Sequence, residues 1–525
     1  MIDFDHWNLG TKGDSMQKEK AVYEDLLTVF NEFREFREPK LVDGVPDYTA
    51  QAMAGQFEKL KEYQARLAVM DISEWPVNEQ VDYHIVRAEM NGFEFDHRVI
   101  KNWSRDPGFY CTFPRFEETM TGAVWIPREL PLDEEKVEEY KTRLAVVPKL
   151  LAQGKENLND VPHDLAVLAI KMKQREYEAW STFAANVKDH HPELGEPITH
   201  IIAAVDDFRQ WLEENLDSFT ARAGVGKENW NWFMKNVYLF PYTWEEAHAV
   251  VQRELERSHT FTRLEEFHNK HLPAQPLASS LEEVQALYKE RHQYLFDFLE
   301  REQLFKEPHY MEPKPLPTKY DPPAVRNFFQ EILARDVLPL DAHDLCGHSP
   351  DARRYKHDER EIRKARRPYH ISGLRAEGMA TGIEEILMHM GLLDDRPRSR
   401  ELAYILVGFR AARAGAALKM HTNEFTFEEG LDYAATMTPR GYAKRDSFLL
   451  WDDLELYIRQ PGYGMGYLMG KVQLDKLIAD CSRLQGDDFS FQEFFDRFFS
   501  AGFIPMALIR WELTGETDEM EKLLG

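Results

Sequence analysis

Cysteine is nearly absent from this 525-residue chain: Cys111, Cys346 and Cys481 are its three, far apart in sequence. Three thiols at such spacing make no disulfide framework, which points to a reducing compartment. Long apolar runs are missing too. No stretch approaches the 18 or so consecutive apolar residues of a membrane-spanning helix, and the first fifteen residues lack a basic segment followed by an apolar one, so no signal peptide is read there. A cytoplasmic, membrane-free protein is expected. Positive charge is in short supply, with 65 Lys and Arg against 91 Asp and Glu and a net charge of −26. A field of that sign repels phosphate backbones and anionic lipid, which argues against nucleic acid as a partner. Strand signals are scarce, no fixed-period repeat occurs, and neither a Ser-His-Asp set nor a Gly-Lys-Ser/Thr phosphate loop nor a dinucleotide fingerprint is present.

What remains is helical. Over 19–36, 48–68, 78–91, 133–157, 165–185, 198–215 and 244–269, apolar residues return every three to four positions between Glu, Lys, Arg and Gln. That is the period of amphipathic helices, so the fold class is all-α. With 43% hydrophobic and 30% charged residues the composition is that of a globular protein. The proline-rich stretch 307–323 is the best candidate boundary. It divides an N-terminal helical lobe, 1–320, from a C-terminal helical lobe, 321–525, within one continuous superdomain.

The C-terminal part concentrates the chemistry. Residues 338–350 read LPLDAHDLCGHSP, and His343, Asp344, Gly347 and His348 fall within six positions. Glu377 follows 29 residues after His348, and Glu384, seven further on, shares its helical face. Two imidazoles and a carboxylate are the ligand set of a catalytic zinc with one open position. His343 and His348 are i and i+5, roughly 140° apart on a regular α-helix. They could share an ion only across a π-bulge, or if the helix ended at Gly347. Taken alone the motif is weak; a helix-end cluster with one satisfied, buried histidine explains it equally well. Cys346 within it reads as a small buried residue, and the basic run 360–367, REIRKARR, as a solvated helix face.

More blocks follow in order: Glu377-Gly-Met-Ala-Thr-Gly-Ile-Glu384, Arg410-Ala-Ala-Arg413 with His421, Pro461-Gly-Tyr-Gly-Met-Gly-Tyr467-Leu-Met-Gly470, and Phe494-Phe-Asp496 with Gly502 and Pro505. With His343 to His348, and with 81–110 upstream, they resemble the bacterial domain-of-unknown-function family 885, whose members look like helical gluzincin-type zinc metallopeptidases with a deep central cleft. The resemblance implies a divalent metal, zinc first, held by His343, His348 and Glu377. It implies Asp344 as general base, Tyr467 and His421 as donors to an oxyanion, and Glu384 behind a ligand histidine. Arg410, Lys419 and Arg459 could take a substrate carboxylate.

Departures from the family pattern gather at the same place. Asp344 stands where the family has glutamate, the proline before the glycine is missing, Ala417 to Lys419 replaces D-T-G, and Tyr463 replaces the glutamine of P-G-Q. The expected function is a metal-dependent hydrolase of an amide bond in a short peptide or similar small molecule. A metal-dependent lyase or isomerase acting on a small carboxylic acid is the alternative, and a scaffold that has lost its site is a third reading. A homodimer is expected on the prevalence of two-fold symmetry alone.

Overall fold

The computed structural model describes residues 18–113, 120–306 and 314–525. The expected absence of a leader peptide falls on residues before 18, and the start of the proline-rich boundary on 307–313; both lie outside the described residues. The fold is all-α. Among the described residues the only sheets are two pairs of two-residue strands, Glu19–Lys20 with Met70–Asp71 and Leu41–Val42 with Val45–Pro46. No described helix is long and apolar enough to cross a membrane.

Five helices frame the site: α1 (Val77–Phe95), α2 (Trp244–His268), α3 (Gly373–His389), α4 (Pro397–His421) and α5 (Tyr463–Gln485). Helix α2 starts on a capping box, in which Thr243 accepts from the Glu246 amide and Glu246 closes back on Thr243. Helix α4 begins with Pro397 at its first position and is buried almost all round. Its Ala and Gly residues, from Gly408 to Ala417, let neighbours crowd it from several sides, which makes it the central rod of the fold.

Helices α3 and α5 cross at glycine. A Cβ placed on Gly470 would lie 1.9 Å from the Leu374 carbonyl oxygen, and one on Gly378 would lie 2.3 Å from Gly470 Cα. Those distances are far inside van der Waals contact, so the two backbones touch only because no side chain intervenes.

The hydrophobic core does not divide at 320/321. Its largest cluster runs from Leu26 and Phe30 through Trp230 and Leu304 to Leu338, Met379, Leu468 and Leu523. A second cluster is drawn wholly from 48–212, including Trp180, Phe208 and Leu150. A third surrounds α4, where Phe328 stacks on Phe409 at 3.8 Å. Helices from both sides of that boundary therefore share one hydrophobic cluster.

Candidate metal centre

The segment Ala342–His348 is a π-helical turn, inserted between the α-helices Leu338–Asp341 and Ser349–His357. The wider turn, with i→i+5 hydrogen bonding, carries residues five apart to the same face. His343 and His348 accordingly meet, with Nε2 to Nε2 at 3.2 Å. Gly347 allows the turn to lie against α3: a Cβ there would fall 2.5 Å from Ala380 Cα. Helix α3 brings Glu377 to the pair, its Oε2 3.6 Å from His348 Nε2 and 3.9 Å from His343 Nε2. These three are a group of described residues whose donor atoms converge closely enough to hold a metal, within 4.8 Å of one another.

The donor set fits a tetrahedrally coordinated ion. With metal–nitrogen bonds of 2.0–2.1 Å the edge between two ligand nitrogens is about 3.3 Å, close to the 3.2 Å between the imidazoles. The carboxylate edges are a few tenths of an ångström longer and close by rotation of Glu377. His343 is oriented from behind. Its Nδ1 donates to Glu384 Oε1 at 2.7 Å, which leaves the Nε2 lone pair facing the centre. Arg410 places two nitrogens on the same carboxylate, at 2.6 and 2.9 Å. Its Nη2 also lies 3.1 Å from His343 Nδ1, a contact between two donors that share Glu384 as acceptor. Glu384 and Arg410 are both 2% exposed, so each charge depends on the other.

Electrostatics match this geometry. Burial would raise the Glu377 carboxyl, but hydrogen bonding to His348, the charges of both histidines and the Tyr463 phenol outweigh it and hold the group at about 2. Burial opposes protonation of His348, yet the hydrogen bond to Glu377 and the Glu377 and Asp344 charges raise its pKa. An ion arriving here meets an ionised carboxylate and displaces a proton that His348 holds more tightly than usual.

The other residues singled out in sequence separate into two groups. Asp344 stands beside the centre, 43% exposed, in an ion pair with Lys314, whose amine is also 3.8 Å from buried Asp341. Tyr467 is next to Tyr463, with ring centroids 6.2 Å apart, and lies under the guanidinium groups of Arg410 and Arg413. Its phenol is pushed well above the usual range by burial and then by the Glu377 charge.

His421, Lys419 and Arg459 are placed elsewhere, and the roles expected of them do not survive. His421 is fully buried, its Nε2 2.9 Å from the Tyr457 carbonyl oxygen, and burial lowers it to about 4. The Lys419 amine sits over the rings of Phe425 and Tyr433 at 4.8 and 5.1 Å. Arg459 is buried between Asp106, at 2.7 Å, and Glu455, at 3.0 Å. Both the lysine and the histidine occupy the last turn of α4, one full helix length from its start, and pack against other helices there.

Two groups of residues enter that sequence reasoning did not place. Tyr463 donates its phenolic proton to Glu377 Oε1 at 2.8 Å, so the residue that departs from the family glutamine fixes the carboxylate of the candidate centre. The basic run 360–367 is not a solvated face. Arg363 and Arg367 are buried, the first on Asp82 at 2.8 Å and the second on Glu89 at 2.7 Å. Arg367 lines a cavity of about 440 Å³ that opens beside His348, Glu377 and Tyr463.

With this geometry in view, the likeness to known proteins can be stated. The model of a family described as bacterial proteins of unknown function, DUF885, matches residues 37–322 and 347–513. The chain belongs to the DUF885 family. The match breaks off at 322 and resumes at Gly347, so His343 and Asp344 lie in the internal stretch that it does not cover. No curated protein matches the sequence. Two solved structures share the fold at 14% identity. A candidate lipoprotein of unknown function from Shewanella oneidensis has a TM-score of 0.70 over 94% of this chain and 100% of its own. A second candidate lipoprotein, from Colwellia psychrerythraea, has a TM-score of 0.69 over 94% and 99%. At that identity the likeness concerns the fold of this DUF885 member alone.

Proposed function

We propose that this DUF885 member is a metal-dependent hydrolase, with zinc the first candidate, that cleaves an amide bond in a short peptide or peptide-like small molecule. The observation that carries the reading is the convergence of His343 Nε2, His348 Nε2 and the Glu377 carboxylate beside a cavity of about 440 Å³. A divalent ion at these donors would supply Lewis acidity and acidify a coordinated water. The chain's own groups do the rest. Glu384 and Arg410 fix the His343 ring, and Tyr463 fixes Glu377. Asp344 is the proton acceptor, paired with the Lys314 amine. Tyr467, one helical turn along α5 from the cavity-lining Tyr463, is the hydrogen-bond donor to negative charge that develops on the substrate carbonyl.

A screen of short peptides and acylated amino acids against the metal-loaded protein tests this. Turnover that disappears in His343→Ala is the expected result; no turnover with the ion bound at one per chain counts against it. One observation favours a second reading, a lyase or isomerase acting on a small carboxylic acid. Lys314 engages Asp344 directly, which adds a cation where a hydrolase base needs a free carboxylate. Asp344→Glu separates the two: increased amide hydrolysis supports the first, and loss of the native turnover the second. Three buried thiols with no disulfide suit a reducing, cytoplasmic setting.

A further inference from the structure

The cavity beside the candidate centre, of about 440 Å³, has the volume of a small-molecule site. One side of it is the start of α3. From Gly373 to Glu385 only Gly373, Ala376 and Glu377 escape full burial, three positions that share one helical face. The Glu377 carboxylate therefore opens onto a floor made of two residues with almost no side chain. A Cβ added to Gly373 would meet nothing nearer than His370 Cβ, at 3.5 Å, and the Tyr463 ring, at 3.8 Å, so space is left above it.

The walls of the same cavity are aromatic. Tyr355 and Phe503 stand edge to face with centroids 6.4 Å apart, and His370 meets Tyr463 edge to face at 5.3 Å. Two of these rings are held in place. The Phe503 carbonyl accepts from the Ser372 hydroxyl at 3.0 Å, and the Arg375 guanidinium lies 5.5 Å from the Phe503 ring centre. Tyr463 is tied to Glu377. Rings fixed in this way offer edges and faces to a further ring without first having to be ordered.

The charges around the cavity are engaged with the protein. Asp351 holds Arg375, Arg367 holds Glu89 at 2.7 Å, and His348 faces Glu377 at the centre. Arg366 has interactions of its own as well. A charged group entering the cavity would give up water without meeting a free counter-ion among the described residues. Apolar surface entering it gains by burial.

We propose that this cavity is the side-chain pocket for an uncharged aromatic residue next to the amide bond cleaved, with Gly373 and Ala376 setting its depth. As a statement about substrate it rests on the hydrolase reading; the preference for a ring is measured by binding alone.

The test is calorimetric titration of the zinc-loaded, full-length protein with acetohydroxamic acid and with 3-phenylpropanohydroxamic acid, which share a metal-binding head and differ by a benzyl group. Burial of the ring is expected to tighten binding by at least about tenfold. Ala376→Leu, which fills the floor with a good helix former, is expected to remove that advantage and to keep acetohydroxamate affinity within about threefold. Gly373→Ala, whose added methyl fits in ordinary contact, is expected to lose part of the advantage, and it carries the test if Ala376→Leu fails to load zinc. Equal affinity for the two hydroxamates, or a ring advantage unchanged in a folded, zinc-loaded variant, overturns the proposal. So does equally tight binding of the analogue with a carboxylate on the ring, which would mark a charge-binding pocket. A ring advantage without any peptide turnover leaves the pocket standing and removes the hydrolase. Turnover that is indifferent to an aromatic residue does the reverse.

Discussion

Glu384→Gln isolates the carboxylate that lies behind the His343 ring. The carboxylate accepts from His343 Nδ1 at 2.7 Å and from two Arg410 nitrogens at 2.6 and 2.9 Å, with side chains of both charged partners 2% exposed. Glutamine keeps the shape and one acceptor oxygen but turns its amide nitrogen on a group that only donates. Arg410 is then a buried cation without its counter-ion, which costs about 3–5 kcal/mol. The His343 ring loses the charge that fixes its tautomer, which costs about 10- to 100-fold in metal affinity, or roughly 1.4–2.7 kcal/mol. The two effects are read separately. Urea unfolding of the metal-free protein reports the first, and competition with a chromophoric chelator for zinc reports the second. Glu385→Gln is the control, because the neighbouring carboxylate binds Arg257, at 2.6 Å, and Lys471, at 3.1 Å, away from the centre. It should lose stability and keep zinc affinity within about threefold. Zinc affinity unchanged in Glu384→Gln, or lowered equally in both variants, would refute the claim that Glu384 orients a ligand.

Tyr463→Phe removes a single hydrogen bond to ionised Glu377; a bond to a charged group is worth about 1.5–3 kcal/mol, so chelator competition should show zinc affinity lowered about tenfold or more, with the fold intact by circular dichroism. Gly470→Ala sets a methyl group 1.9 Å from the Leu374 carbonyl. It should lower the unfolding free energy by roughly 3 kcal/mol or more and weaken the metal site with it, since α3 and α5 must separate. Glu385 provides the pH dependence. Burial would raise it, but Arg257 and Lys471 pull it from 4.5 to about 2. A depressed folded-state value contributes stability that is present above pH 4.5 and lost as pH falls towards 2. Urea midpoints of Glu385→Gln should therefore vary less over that interval than those of the native chain; parallel curves would contradict the assignment.

The helical fold was legible because period is a local property: apolar residues three and four apart need no knowledge of their partners. The convergence of His343, His348 and Glu377 was legible conditionally. An i, i+5 pair of histidines is incompatible with a regular helix, and the π-turn Ala342–His348 resolves that conflict in the way the spacing required. Gly347, Gly378 and Gly470 carried the signal for close backbone approach, although which backbones met could not be read from them. The run 360–367 was misread because its charge pattern looks solvated. The acids that bury Arg363 and Arg367 are Asp82 and Glu89, some 280 residues earlier on α1. Lys419 and His421 failed for the opposite reason. Motif order placed them near the site, but the final turn of α4 directs them to Phe425, Tyr433 and the Tyr457 carbonyl. Tyr463 could have been noticed as a phenol replacing an amide in a conspicuous block; its target, Glu377, could not.

Elemental mass spectrometry of the untagged protein, beside the His343→Ala, Glu377→Ala double variant, addresses the central claim most directly. About one zinc, manganese or iron ion per chain, lost in a double variant that remains folded, is the expected result. No stoichiometric metal after incubation with each ion in turn, or metal retained in the double variant, would contradict a centre built from His343, His348 and Glu377.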